Sequence, residues 1–161
     1  MRGPSTAGLC LLAVTTCLSQ AASGNGLLQR QNPLATITSL RCHFIIKTSV
    51  LWTDGKPNVR QEPTDVRITV SEVDLQDGTA EISSPQGRRF ASALLSDGSL
   101  YFMETTSGAM DVTAVFATES SPGKLKAVRG EYAYVYLTVP PFVPDPAVSQ
   151  SYGECEPAPG A

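Results

Sequence analysis

Apolar and polar residues alternate along most of the chain beyond residue 34, and a period of two is typical of β-strands with one buried face. Val66, Ile68 and Val70 lie on one face of such a segment, and Arg, Thr and Ser stand between and after them. Residues 36–52 are rich in Ile, Val, Phe and Thr, which strands favour. No segment from 34 to 161 sustains apolar residues at helical spacing. The pattern therefore predicts an all-β fold.

Turn residues divide these strand patterns at short intervals. Asp77-Gly78 and Asp97-Gly98 each stand between two strand patterns, and an Asp-Gly pair in that position is a strong hairpin signal. The segments 107–108 and 120–123 contain Ser, Gly and Pro and indicate further turns. Short connections of this kind predict antiparallel strands in up-and-down order. Gly130 interrupts the last strand pattern, 124–139, and is interpreted as a bulge or sharp bend.

A chain with about seven or eight such strands must hide its sheet edges, and the simplest solution is a sheet that closes on itself. The sequence thus favours a small antiparallel up-and-down meander barrel, with a β-sandwich as the alternative. Residues 53–65 are interpreted as the one long connection, either capping a barrel end or crossing between sheets. Residues 140–161 carry several prolines, which lack a backbone donor, so a Pro-rich tail is predicted there.

The N-terminus has the features of an export signal. Arg2 supplies a positive start, residues 7–18 form an apolar stretch, and Ser19-Gln20-Ala21 places small residues at a cleavage site. The predicted organisation is a signal peptide at 1–21, a flexible lead-in at 22–34, a β domain at 35–139 and the tail at 140–161. A lipoprotein with Cys17 as its acylated first residue is the alternative. The apolar stretch is shorter than the roughly 20 residues of a spanning helix, so the mature protein is not expected to span a membrane.

The cysteines also support export from the cytoplasm. Removing residues 1–21 leaves two of the four cysteines, Cys42 and Cys155, one near each end of the folded region. In an exported chain two such cysteines are expected to form a disulfide, which the Pro-rich tail would share. Two free thiols or an intermolecular bond are the alternatives. The expected location is the periplasm or the outside of the cell.

Charge and residue types exclude several functions. With 12 basic and 15 acidic residues, the chain has no overall charge suited to nucleic acid or to a polybasic membrane contact. His43 is the only histidine, and no nucleophile, phosphate-loop or dinucleotide motif is present, so no enzyme activity, metal or cofactor is expected. Paired carboxylates on different strands stay open, because their separation cannot be read from sequence. The acidic loop residues are interpreted as turn formers rather than calcium ligands: Asp74, Asp77, Asp97 and Asp111.

Four short segments carry a resemblance: 100–104 (LYFME), 110–117 (MDVTAVFA), 124–129 (KLKAVR) and 151–155 (SYGEC). In these the chain resembles small exported bacterial β-barrel proteins of uncharacterised function with lipocalin-like architecture. The resemblance implies export and a common fold and carries no assigned activity. Lipocalin barrels enclose small apolar ligands, but their Gly-x-Trp signature is missing at Trp52, which follows Val50 and Leu51.

The strand pattern after Gly130 has an unusual alternation of tyrosine with aliphatic residues. The tyrosines are Tyr132, Tyr134 and Tyr136, and the aliphatic residues are Ala133, Val135 and Leu137. Neither face is polar, so both are expected to meet apolar surroundings. The tyrosines either brace the outer surface or, with Trp52, form a ligand or partner face. The predicted function is binding of a small apolar or amphipathic ligand, and the alternative is an envelope or secreted interaction module with a filled barrel.

Overall fold

Eight antiparallel strands follow one another in sequence order and close into a barrel in the computed structural model, which describes residues 32–53, 55–136 and 144–158. The strands are β1 (Leu40–Thr53), β2 (Lys56–Asp74), β3 (Thr79–Ser84), β4 (Gly87–Ser96), β5 (Ser99–Thr106), β6 (Ala109–Ser121), β7 (Lys124–Tyr136) and β8 (Pro144–Pro157). The predicted all-β meander barrel is confirmed, and the sandwich alternative falls away. The predicted signal peptide, 1–21, lies outside the described residues.

The two ends of the barrel differ. We call the lower end the one that holds the β2–β3, β4–β5 and β6–β7 turns, and the upper end the opposite one, where β1, β3, β5 and β7 end. A 3-10 helix, Pro33–Thr36, closes the lower end, with Asn32 accepting a 3.0 Å hydrogen bond from the Leu34 amide. Leu34 is fully buried. The last residues of the predicted flexible lead-in, 22–34, are therefore part of the folded core.

The hairpin turns form where Asp-Gly pairs stand in the sequence. Asp97 and Gly98 join β4 to β5 with φ angles of 49° and 77°, the left-handed pair that a two-residue hairpin of type I′ requires. Gly78 has a φ of 68° and directly precedes β3. Both predicted turns are confirmed.

Residues 140–161 were expected to form a tail, and that prediction is wrong for most of its length. Residues 144–157 form β8, which pairs with β7 on one side and with β1 on the other. The ladder with β1 begins at Val148, whereas Pro144 and Pro146 pair only with β7 in the described register. These two prolines are tolerated because they precede the stretch of β8 whose backbone N–H groups must bond to strands on both sides.

The predicted long connection at 53–65 is wrong for the same reason. Residues 56–65 belong to β2, which pairs with β1 from Lys56 onward, while its ladder with β3 begins only at Thr69. Pro57 and Pro63 lie where the described ladders give β2 a single neighbour. The result is a long β1–β2 hairpin that projects at the upper end.

Gly130 does not form the predicted bulge, since it keeps regular register with Val112 and Gln150. An added Cβ at Gly130 would lie 3.2 Å from Tyr132 Cε2, so the tyrosine ring lies over the glycine. One bulge lies in β1 beside Phe44. There Gly153 on β8 approaches so closely that an added Cβ would overlap the His43 carbonyl oxygen. Gly153 is therefore required by this close approach.

Apolar side chains fill the lower part of the lumen. The largest fully buried apolar side chains are Phe44, Phe102, Leu34, Leu40, Ile82, Leu100, Val70 and Val115. Cys42 and Cys155 face each other directly across β1 and β8 and form a buried disulfide. The bond confirms the predicted pairing and joins the first strand to the last. It indicates an oxidising, exported environment.

Candidate functional site

A network of charged side chains lies in the upper part of the lumen. Arg129 Nη1 is 2.9 Å from Glu104 Oε2, and Arg129 Nη2 donates to Asp111 Oδ2 at 2.7 Å. The same guanidinium donates from Nη1 to Thr113 Oγ1 at 3.0 Å. Arg89 Nε lies 3.7 Å from Glu104 Oε1. One arginine of β7 thus holds β5 and β6 together inside the barrel.

Glu104 is the most deeply buried charge of this network, with 2% of its side chain exposed. Although Arg129 Nη1 is close, Glu104 Oε2 accepts no hydrogen bond of good geometry. The contact is therefore mainly an electrostatic one. Burial raises the pKa of Asp111, with further raising by Glu104 and Glu131, and the attraction of Arg129 compensates only in part.

A second set of contacts lies nearer the upper mouth. Glu131 Oε2 accepts a hydrogen bond from Ser149 Oγ at 3.1 Å and lies 3.4 Å from Lys47 Nζ. These contacts connect β7 to β8 and β1. Asp111 and Glu131 stand directly opposite each other on adjacent strands, so both carboxylates face the same lumen. The upper lumen is therefore polar, with acids and bases interleaved.

The outer surface at this height is apolar. Tyr132 lies beside Met110 on β6 and Val148 on β8, and Val148 lies beside Val50 on β1. We call the outward-facing apolar residues of this region the outer belt: Met103, Met110, Val112, Ala114, Val128, Tyr132, Val148, Tyr152, Ile46, Val50 and Val59. Six of these are exposed large side chains: Met103, Met110, Tyr132, Tyr152, Ile46 and Val59.

The predicted aromatic site residues are only partly brought together. Tyr132 lies on the outer face with 41% of its surface exposed. Trp52 lies near the tip of the β1–β2 hairpin, two residues beyond Val50, and is 46% exposed. Tyr134 and Tyr136 continue the β7 ladder opposite Pro146 and Pro144, and their side chains lie outside the described residues.

His43 lies on the outer surface of the barrel, where its side chain is 46% exposed. Its Nε2 is 2.7 Å from Asp65 Oδ1, which also accepts a 2.9 Å hydrogen bond from Arg67 Nε. Hydrogen bonds from Arg67 and then His43 lower the pKa of Asp65. Within the described ranges, no cluster of three or more His, Cys, Asp or Glu side chains is arranged to hold a metal ion.

Two surface grooves differ in character. A groove of about 360 Å³ beside Tyr132 is lined by apolar residues that include Met110, Pro146 and Val148. A larger groove of about 810 Å³ lies on the outside of the lower half and is lined by charged residues such as Arg41, Glu72, Asp74, Glu81 and Arg88. The smaller groove is the one continuous with the outer belt.

Sequence reasoning missed the charged lumen. Charged residues at alternate strand positions ordinarily face solvent, so Glu104, Asp111 and Arg129 gave no distinct signal. The spacing of Arg129 and Glu131 against Tyr132 was the one available sign, since it places charges on one face of β7 and an aromatic residue on the other.

No protein-family model matches this chain, and no curated protein matches it. The resemblance to small exported lipocalin-like proteins therefore stays a prediction. No helix in the part of the chain that the structure describes is long and apolar enough to cross a membrane.

Proposed function

We propose that this is an exported protein, periplasmic or secreted, that acts by binding through its outer belt and not through a ligand held inside the barrel. The observation that carries the proposal is the orientation of β7. Its charged residues, Arg129 and Glu131, make contacts inside the barrel, and Tyr132 is exposed outside. The surface available for apolar contacts is thus the outer one.

The occupied lumen supports this choice over a lipocalin-like cavity. An eight-strand barrel has an interior just wide enough to be filled by side chains or to hold one small ligand. Here Phe44 and Phe102 are fully buried in it, and the Arg129 network lies above them. An apolar ligand in the upper lumen would have to separate Arg129 from Glu104, and leaving a buried charge unpaired costs about 3 to 5 kcal/mol.

The composition of the outer belt suits recognition. Tyr132 and Tyr152 combine a large apolar ring with a hydrogen-bonding tip, and interfaces are enriched in tyrosine and methionine. Met103 and Met110 lie on the same face of adjacent strands. Contiguous exposed apolar surface on a folded domain is typical of an interaction site.

A second candidate is a small apolar ligand bound on the outside. The groove beside Tyr132 has a volume of about 360 Å³, within the range of small-molecule sites. Such a ligand would be retained as a defined added mass in native mass spectrometry of the exported protein. A surface that serves a larger partner would retain none.

Fluorescence of an apolar dye, anilinonaphthalene sulfonate, tests the proposal. We expect the folded protein to enhance the dye's emission and a variant carrying Tyr132→Ser and Met110→Ser to bind it several-fold more weakly with an unchanged circular dichroism spectrum. A matched control carries Arg41→Ser and Arg67→Ser, which alter exposed outer positions of the lower half. Equal dye binding by the Tyr132 and Met110 variant and the native protein would contradict the proposal.

A further inference from the structure

We propose that the outer belt binds the surface of a lipid bilayer, with the upper end of the barrel dipping into the interface. This inference rests on the proposed function, because it names the partner of the same surface. It starts from a change in polarity along the barrel axis.

The two halves of the barrel have opposite polarity. In the lower half the lumen is apolar, while the outside carries charged residues such as Arg41, Arg67 and Glu154. In the upper half the charges of Glu104 and Arg129 face inward, and apolar side chains face outward. Apolar outside with polar inside is the arrangement that a barrel adopts in contact with lipid.

The shape of the outer belt separates a bilayer from a single protein partner. One cross-strand row near the upper end passes through five consecutive strands, from β6 to β8 and on to β1 and β2: Met110, Tyr132, Val148, Val50 and Val59. Because the barrel is closed, these residues face successive directions around its axis. A rigid partner on one side would leave much of the row exposed. A fluid lipid phase can surround it.

The height of the outer belt limits the depth of insertion. From Val128 to Tyr132 the described belt spans four residue steps along β7, or roughly 13 Å at about 3.3 Å per residue. The hydrocarbon core of a bilayer is about 30 Å thick, so this height corresponds to insertion into one leaflet. Tyr132, Tyr152 and Trp52 have the ring chemistry that favours the boundary between hydrocarbon and headgroups.

The charges indicate which lipids would suffice. The chain has a formal net charge of -3, so attraction to anionic headgroups does not drive the contact. Below the outer belt the outward charges on β7 and β8 include an ion pair, Lys124 with Glu154 at 3.2 Å. On β1, β2 and β8 the polar outward residues between the apolar rows are uncharged: Thr48, Gln61 and Gln150. The outward charges on β3 and β4, Glu81 and Arg88, are paired with each other at 3.4 Å. Binding should therefore occur on zwitterionic lipid and persist at high salt.

Trp52 supplies a built-in probe, because it is the only tryptophan in the chain. We expect phosphatidylcholine vesicles to shift its emission to shorter wavelength and to carry the protein upward in a flotation gradient, at both low and high salt. A variant with Tyr132→Ser and Tyr152→Ser, which keeps Trp52, should partition roughly tenfold less. The control with Arg41→Ser and Arg67→Ser should partition as the native protein does.

Two outcomes would overturn the lipid inference. The first is a native protein that shows neither the emission shift nor flotation. The second is vesicle binding that the Arg41 and Arg67 variant abolishes and the tyrosine variant leaves intact. If the native protein does not bind vesicles but its dye binding still depends on Tyr132 and Met110, the outer belt serves a different partner, such as a protein. The proposed function then stands. If neither probe depends on the outer belt, both proposals fail.

Discussion

Glu131 and Tyr132 point to opposite sides of β7, and it is the charged residue that faces the barrel interior. Glu131 accepts a hydrogen bond from Ser149 Oγ at 3.1 Å, while Tyr132 is exposed beside Met110 and Val148. A water-soluble barrel with an apolar core ordinarily has the reverse orientation. The relationship supports the proposal that this protein binds through its outer surface.

Arg129→Met should lower the free energy of unfolding by about 3 to 5 kcal/mol, because it removes the nearest cation to Glu104 and Asp111 and leaves only Arg89, 3.7 Å from Glu104. Adding Glu104→Gln and Asp111→Asn should recover part of that loss, since the uncompensated charges are then gone. Urea denaturation measures both effects. Lys126→Met, at an exposed position of the same strand, is the control and should change stability by no more than about 0.5 kcal/mol. An equal effect of the two methionine variants would contradict a structural role for the network.

Asp111 should give stability an unusual dependence on pH. Its pKa in the folded protein is raised above the ordinary value of 3.8, so the ionised carboxylate is disfavoured by folding. Its contribution to stability therefore increases as the pH falls through the raised pKa toward 3.8. From pH 7 to pH 4 the native protein should gain stability relative to Asp111→Asn. Parallel urea-denaturation curves for the two proteins across this range would refute the assignment.

Asp65, Asp74 and Glu154 act in the opposite direction. Hydrogen bonds lower the pKa of each, from Arg67 for Asp65, from the Asp77 amide for Asp74 and from Ser120 for Glu154. Their contribution is complete above the ordinary values of 3.8 and 4.5 and is lost as the pH falls through the lowered ones. Below about pH 4 the stability that these three groups lose on protonation offsets the stability that Asp111 gains. Comparison with Asp111→Asn removes their influence, because both proteins keep them.

Reducing the disulfide should destabilise the barrel strongly. The bond between Cys42 and Cys155 joins β1 to β8 across 113 residues, and closing a loop of that size stabilises by roughly 4 to 5 kcal/mol in the chain-entropy model. A variant with Cys42→Ala and Cys155→Ala should resemble the reduced native protein and should not respond to reductant. The urea midpoints of the four samples test this. Identical midpoints with and without reductant for the native protein would contradict it.

Gly98→Val should cost about 1 to 2 kcal/mol, because Gly98 has a φ of 77° that a β-branched residue resists. Ser96→Val introduces the same side chain at the last residue of β4, where φ is not positive, and should be nearly neutral. Thermal unfolding followed by circular dichroism compares the two. A Gly98→Val variant as stable as Ser96→Val would show that the left-handed turn is not needed.

The sequence predicted the strands that end in Asp-Gly turns and the partners of the disulfide, because these features depend on local chemistry. It misassigned β8 and the start of β2, where prolines suggest loops. Pro57 and Pro146 are accommodated in strands because each lies where the described ladders supply only one neighbour. Whether a strand has one neighbour or two depends on ladder offsets between strands, which local residue patterns do not reveal.

Of the residues at the candidate site, sequence reasoning singled out Tyr132 but not the charged residues inside the lumen. Alternation shows that Glu131 and Tyr132 lie on opposite faces but not which face is inside. That choice depends on the barrel register that brings Arg129 beside Glu104 and Asp111. Charges that neutralise one another across three strands can occupy a lumen that none of them would occupy alone.

Methyl-resolved NMR during a titration with anilinonaphthalene sulfonate tests the central claim most directly. Met103 and Met110 lie on the exposed outer belt, whereas Leu100 and Val115 are fully buried in the lumen. The account predicts that the dye shifts the methyl signals of Met103 and Met110 and leaves those of Leu100 and Val115 unchanged. Shifts concentrated on Leu100 and Val115, with the methionine signals unmoved, would show that the barrel interior is the binding site and would contradict the account.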